Sequence, residues 1–244
     1  MIDSALMSQK GGRLVNEDYV AKAIHGEDQC FVLCDGLGGH ERGDLAAREV
    51  ATCITDYFEQ TGDSFSFLDD AINMAQEKLL IIQRTNNLVD SMKTTLVVLV
   101  VTGEYIKWAH IGDSRLYRVY SDGTKYQRTK DHSLVQQLAD RGVIKDEEIR
   151  NHPDRNKLLR AMGASWERKS YDKSAILERG EKQGFVLMTD GFWEYVYETE
   201  IMESYNNSNN AKQWLDEMEK KVLSRADLEK TDNYSAICVM VNED

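Results

Sequence analysis

The stretch CFVLCDGLGGHERGDLAA, residues 30–47, runs from an apolar segment into an aspartate, a cluster of glycines, a histidine and then a helix-like pattern. A short apolar run closed by Asp35-Gly36 reads as a buried strand that ends in a carboxylate. The same order returns in FVLMTDG, residues 185–191, where Asp190-Gly191 closes another apolar run, and Thr231-Asp232-Asn233 stands directly before YSAICVMV, residues 234–241. Taken singly, each Asp-Gly also suits a turn or a helix cap. Set together at strand ends, where polar groups are poorly hydrated, the carboxylates repel one another and call for a positive charge between them. An all-oxygen donor set, with no Cys or His at metal spacing, favours a hard octahedral cation such as Mg2+ or Mn2+. Gly36 would let a backbone carbonyl approach that ion with no Cβ in the way.

Outward from this stretch, Leu45, Ala46, Val50, Ile54 and Phe58 recur at helical spacing, as do Leu68, Ala71, Ile72, Ala75, Leu79 and Ile82. TTLVVLVV (94–101), YIKWAHI (105–111) and RLYRVY (115–120) are rich in β-branched and aromatic residues and are split by Gly103 and Gly112-Asp113, which predicts three strands in an antiparallel meander. Residues 131–163 read as helical and polar. An amphipathic helix is predicted around Ala211, Trp214, Leu215, Met218, Val222 and Leu223, before the closing strand at 234–241. Strands and helices come in blocks, which points to α+β layers rather than βαβ winding. With 244 residues, 41% of them apolar, a single proline at Pro153 and no linker-like segment, one domain is expected.

Composition excludes several functions. Lys+Arg 30 against Asp+Glu 42 leaves a net charge of -12, which repels nucleic-acid phosphates and anionic lipid alike. The start, MIDSALMSQKGGR, has no basic-then-apolar leader, and the longest apolar run, Leu96 to Val101, is far too short for a membrane span. A cytoplasmic protein is expected. Cys30, Cys34, Cys53 and Cys238 match no zinc spacing and read as buried free thiols. GLGGHERG, residues 36–43, has neither the G-x-G-x-x-G spacing of dinucleotide binders nor the Lys-Ser/Thr of a P-loop, and the aspartates are not spaced as in an EF-hand.

Arg13-x-x-Asn16-Glu17-Asp18, Asp35-Gly-Leu-Gly-Gly-His40, Thr94-Thr95, Gly112-Asp113-Ser114-Arg115, Asp190-Gly191 and Asp232-Asn233 follow one another in this order. In them the chain resembles the metal-dependent serine/threonine protein phosphatases of type 2C (the PPM family), in their compact bacterial form. The resemblance implies an α+β fold, a central antiparallel β-sandwich flanked by helix pairs in four layers (α-β-β-α). It implies one catalytic domain over residues 1–244, with a flap at about 131–165. It further implies two Mn2+ or Mg2+ ions at one end of the sandwich. Carried over by position, Asp35 would bridge both ions, the Gly36 carbonyl would bind one, and Asp190 and Asp232 the other. Glu17 or Asp18 would hold that second site directly or through water, and Asp113 with Asp190 would take a possible third ion. Arg13 would grip the substrate phosphate through its planar fork. The activity implied is hydrolysis of phosphoserine and phosphothreonine by direct attack of a metal-bridging hydroxide, reversing serine/threonine kinases. The partners implied are phosphoserine/phosphothreonine proteins, a bacterial serine/threonine kinase among them, acted on by a monomer.

Each of these residues has a plainer reading too: Arg13 as a surface arginine, Glu17-Asp18 as a solvated acidic pair, Asp113 as a hairpin turn residue. A metal-binding interaction module and a hydrolase of small phosphate esters stay open as alternatives. Some relatives carry a histidine two residues after the bridging aspartate as general acid; here Leu37 stands there, and His40 is expected at the helix entry instead. From Arg128 to Arg160 the chain holds eight Lys/Arg against six Asp/Glu. That excess suggests a surface that meets phosphoprotein substrates, or simply a solvated face.

Overall fold

Strand β4, Leu96–Val101 (LVVLVV), is buried at every position, so both of its faces need cover. Its alternate residues enter different cores: Leu96, Val98 and Val100 pack toward helices, whereas Val97, Leu99 and Val101 meet Phe185, Leu187, Ile237 and Val239 of a second sheet. The computed structural model describes residues 1–37, 42–88, 91–166, 170–180 and 182–242. One sheet runs β2 (Asp18–His25), β3 (Asp28–Asp35), β4, β5 (Tyr105–Ile111) and β8 (Asp172–Lys173), with β9 (Leu177–Glu178) also on β5. The other runs β1 (Ile2–Gln9), β11 (Tyr234–Val241), β10 (Gln183–Met188), β6 (Arg115–Val119) and β7 (Tyr126–Arg128). Every pairing is antiparallel.

Helices α1 (Gly43–Thr61) and α2 (Phe67–Thr85) bury Val50, Ile54, Phe58, Ile72 and Leu79 against the first sheet. The second sheet is covered by the short α4 (Asp190–Trp193), by α5 (Glu198–Asn206) and by α6 (Ala211–Arg225), through Trp193, Ile201, Tyr205, Trp214 and Met218. The layers are therefore α-β-β-α, as the resemblance implies. All four cysteines are buried and free.

Three expectations change. The meander breaks after its second strand, because β6 pairs with β10 and β7 in the other sheet rather than with β5. Gly112 makes this crossover at φ +102°, with its Cα so close to Thr95 that a Cβ would lie 2.6 Å from Thr95 Cγ2. Asp113 is thus a sheet-to-sheet corner and not a hairpin turn. Of the helical, polar stretch 131–163, only α3 (Leu134–Asp140) and a 3-10 turn (Asp146–Asn151) are helical; Ser133 caps α3 by accepting from the Gln136 amide. Finally, the basic excess of residues 128–160 is spent on ion pairs: Arg128–Asp146, Lys130–Asp140, Lys145–Glu147, Arg150–Glu198, Arg155–Glu194, Lys157–Asp154 and Arg160–Asp172. Among the described residues, only Arg141 of the eight has no acidic partner within 4.0 Å. Seven of these eight cations therefore each have an acid beside them.

Glu200 of α5 is held by Arg225 of α6, whose Nη1 and Nη2 donate over 2.7 and 2.6 Å. Those hydrogen bonds bring the Glu200 carboxyl from 4.5 down to about 2. A carboxyl depressed on folding adds stability above its ordinary pKa and loses it as pH falls through the folded value. Arg225→Gln should therefore lower the melting temperature at pH 7 by roughly 1–3 °C. The gap to wild type should close between pH 4.5 and 2, as thermal melts across pH would show.

Candidate metal centre

Pairing of β2 with β3 sets Asp18 directly opposite Asp35. Asp35 is the last residue of β3, and its backbone is fixed on both sides: its amide donates to Thr95 Oγ1 (2.9 Å) and its carbonyl accepts from Thr94 Oγ1 (2.8 Å). Thr95 Oγ1 in turn lies 2.7 Å from Ser114 Oγ, which ties the Asp35 strand end to the Gly112-Asp113 corner. Gly36 packs backbone to backbone on Gly43 at the start of α1; a Cβ on Gly36 would sit 2.3 Å from the Gly43 carbonyl. Asp113 is held through its carbonyl, which accepts from Trp193 Nε1 (3.0 Å). Arg115 supports the same corner from beneath, donating to both oxygens of Asp131 (2.8 and 2.7 Å) and stacking on Trp193. Asp190 opens α4, and Asp232 lies in the loop before β11.

These elements enclose a pocket of about 310 Å3 lined by Glu17, Asp35, Gly36, Asp113, Asp190 and Asp232, with Arg13, Leu37, Asn156 and Leu158 also in its walls. Of the acidic pair, Glu17 reaches the pocket. Asp18 is buried and not among the lining residues, and it accepts from Thr189 Oγ1 (3.0 Å). Arg13 donates from Nε and Nη2 to the two oxygens of Asp232 (2.8 and 2.7 Å), and Nη1 has no acceptor among the described residues. Asn233 holds the Arg13 loop: its Nδ2 donates to the carbonyls of Lys10 (2.7 Å) and Val15 (3.0 Å), and its Oδ1 accepts from the Glu17 amide (2.8 Å).

The profile of the family described as Protein phosphatase 2C matches residues 8–231. The chain belongs to this family. It is 30% identical over 195 residues to the serine/threonine phosphatase stp of Listeria monocytogenes, covering 77% of this chain and 76% of that one. Among solved structures it is similar to the serine/threonine phosphatase Stp1 of Staphylococcus aureus, with 27% identity, a TM-score of 0.86 and coverage of 100% and 96%. It is also similar to PstP/Ppp of Mycobacterium tuberculosis, with 26% identity, a TM-score of 0.84 and 99% of each chain covered.

In this protein phosphatase 2C chain the acids of the pocket bear the cost of their convergence. Desolvation first, then Asp190, Asp18 and Asp113, push the Asp35 carboxyl well above the ordinary carboxylate range. Desolvation and Asp190 do the same to Asp113. Desolvation, Glu194 and Asp232 raise Asp190 to about 7, and burial raises Asp18 to about 8. Glu17 is raised by desolvation and Asp44. Acids that repel one another in a small cavity, with Gly36 also in its lining, suit hard divalent cations. Asp35, Asp190, Asp232, Asp113, Glu17 and the Gly36 carbonyl are the groups that could hold them.

A second cluster, His110, His132 and Asp172, brings donor atoms within 4.8 Å of one another. Three of its four ring nitrogens already have partners. His132 Nδ1 accepts the Gly112 amide (3.2 Å), so its Nε2 carries the proton shared with Asp172 (3.1 Å), and His110 Nε2 donates to the Lys130 carbonyl (2.9 Å). The histidines link the crossover to the segment before α3. His40 lies outside the described residues. Sequence reasoning missed Asn156 and Leu158, which no local pattern marks as pocket residues.

Replacing Asp35 by Asn removes one of the repelling charges and one of the strongest candidate ligands. With metal chelated, Asp35→Asn should melt roughly 2–4 °C above wild type. The rise in melting temperature on adding Mn2+ should shrink in the variant. An unchanged Mn2+ response in calorimetry and thermal melts would remove Asp35 from the ligand set.

Proposed function

We propose that this chain is a metal-dependent phosphatase that hydrolyses phosphoserine and phosphothreonine in proteins and so opposes serine/threonine kinases. The observation that carries the reading is the convergence of Asp35, Asp113, Asp190, Asp232 and Gly36 on one pocket that Arg13 also lines. Asp35, beside Asp190, Asp18 and Asp113, would be shared by two cations; Asp190 and Asp232 would hold one of them, and Asp113 with Asp190 would hold a third. Mn2+ or Mg2+ bound there supplies charge for the phosphate oxygens and acidifies a coordinated water toward neutrality. Arg13 positions the phosphate: Asp232 holds two of its donors, and Nη1 remains for a phosphate oxygen. Among the described residues that line the pocket there is no Ser, Thr, Cys or His, so no hydroxyl, thiol or imidazole is placed there to form a covalent phosphoenzyme or to donate a proton. No helix among the described residues is long and apolar enough to cross a membrane. We place the enzyme in the cytoplasm as a monomer, beside a bacterial kinase whose products it dephosphorylates.

The test is turnover of p-nitrophenyl phosphate and of phosphothreonine peptides, with EDTA, Mn2+ or Mg2+. Activity should need the cation and return with it; metal-independent turnover would overturn the reading, and turnover of small esters alone would favour a metabolite hydrolase. Arg13→Ala should raise KM more than it lowers kcat, and Lys should rescue only in part, for want of the fork.

Asp113 gives a sharper test, because the corner itself rests on Gly112 and on the Asp113 carbonyl rather than on its carboxylate. Asp113→Asn should leave thermal stability near wild type while turnover falls by about 10-fold or more. Normal turnover across a Mn2+ titration would limit Asp113 to shaping the pocket wall.

A further inference from the structure

The loop that carries Arg13 also holds two apolar side chains out in water: Leu14 is 96% exposed and Val15 54%. Single exposed aliphatic residues are ordinary on a protein surface. These two differ in how they are held and in what they adjoin. The Gly12 amide donates to the Thr231 carbonyl (3.0 Å), Asn233 clasps the carbonyls of Lys10 and Val15, and Asn16 donates to Ser8 Oγ (2.8 Å). The loop is pinned at both ends, so Leu14 and Val15 are presented by a fixed backbone. Arg13, the residue before them, lines the pocket; Leu158 lines it too, and its neighbour Leu159 is 49% exposed.

We propose that Leu14 and Val15, with Leu158 and Leu159, form an apolar rim that receives apolar side chains flanking the phosphorylated residue of a protein substrate. The proposal rests on the phosphatase reading above. A phosphate that reaches the pocket past Arg13 carries its peptide across the residues next to Arg13, so the rim continues the substrate site. Electrostatics narrows the choice of peptide: the chain carries -12, and almost every basic residue between 128 and 160 is already paired. Acidic flanks would meet net repulsion, and what Leu14 and Val15 themselves offer a flanking residue is apolar contact. Because the loop is already ordered, little conformational entropy is lost when it is covered.

Leu14→Ser/Val15→Ser in the full chain with Mn2+ tests this on three substrates: a phosphothreonine peptide flanked by Leu and Val, one flanked by Ser and Gly, and p-nitrophenyl phosphate. The expected result is a fall in kcat/KM of about tenfold on the first, carried by KM, with the other two within about twofold of wild type. Leu14→Ile/Val15→Ile should keep the preference. No fall, or an equal fall on both peptides, would overturn the rim, and so would a matching fall on p-nitrophenyl phosphate, which would place the damage inside the pocket. Concentration-dependent dimerisation in sedimentation, abolished by the same substitution, would assign these residues to a second copy and also overturn it. Wild-type protein inactive on all three substrates would defeat the phosphatase reading itself.

Discussion

The constraint on which this architecture turns is the repulsion among carboxylates gathered at one end of the sandwich. Asp18 and Asp35 stand opposite each other on paired strands, with Asp113, Asp190 and Asp232 brought in from a crossover, a helix start and a loop. Left to themselves such groups would separate or take up protons. They stay together because the backbone under them is over-determined: Thr94 and Thr95 clasp Asp35, Trp193 holds the Asp113 carbonyl, and Asn233 closes the loop beside Asp232. The apolar layer between the sheets supplies the rigidity, since moving one strand end would displace Phe31, Leu33, Val97 and Leu99 from a packed core.

What could be read from the sequence followed from burial on both faces. Strands β3, β4, β10 and β11 carry apolar runs because helices cover one face and a second sheet the other, and the aspartates at or just beyond the ends of β3, β10 and β11 stand out for that reason. Strands β1 and β2 are only partly buried and mix polar with apolar residues, so no period marked them. The crossover at Gly112-Asp113 was misread because a glycine-aspartate between two strand patterns fits a hairpin equally well; only the partner of β6 distinguishes the two. The segment after β7 is less helical than its pattern suggests, since charge and polarity there serve ion pairs instead of a helix face.

Those ion pairs depend on distant partners and could not be seen locally. Arg150 finds Glu198, 48 residues away along the chain, and Arg155 finds Glu194, 39 away, and both acids adjoin or follow α4. The segment before β8 is thereby anchored to the helix that begins with Asp190. Glu194 also raises the Asp190 carboxyl while Arg155 lowers it, so the pair that positions this segment sets part of the electrostatics of the pocket. The positive charge of this segment is thus committed to holding its own backbone in place.

Arg13 and Asp232 concentrate the same conflict in one contact. The bidentate pair gives Arg13 a defined position, yet it engages donors that a phosphate would also use. Any positive charge that reaches Asp232 weakens its hold on the guanidinium, so neutralising the acid and freeing the fork are one event. The next residue after Asp232 is Asn233, whose side chain fixes Lys10, Val15 and Glu17. The acid that holds Arg13 and the amide that shapes the Arg13 loop are thus neighbours on one strand entry, and Arg13, Glu17 and the exposed Leu14-Val15 step are held by a single stretch of backbone.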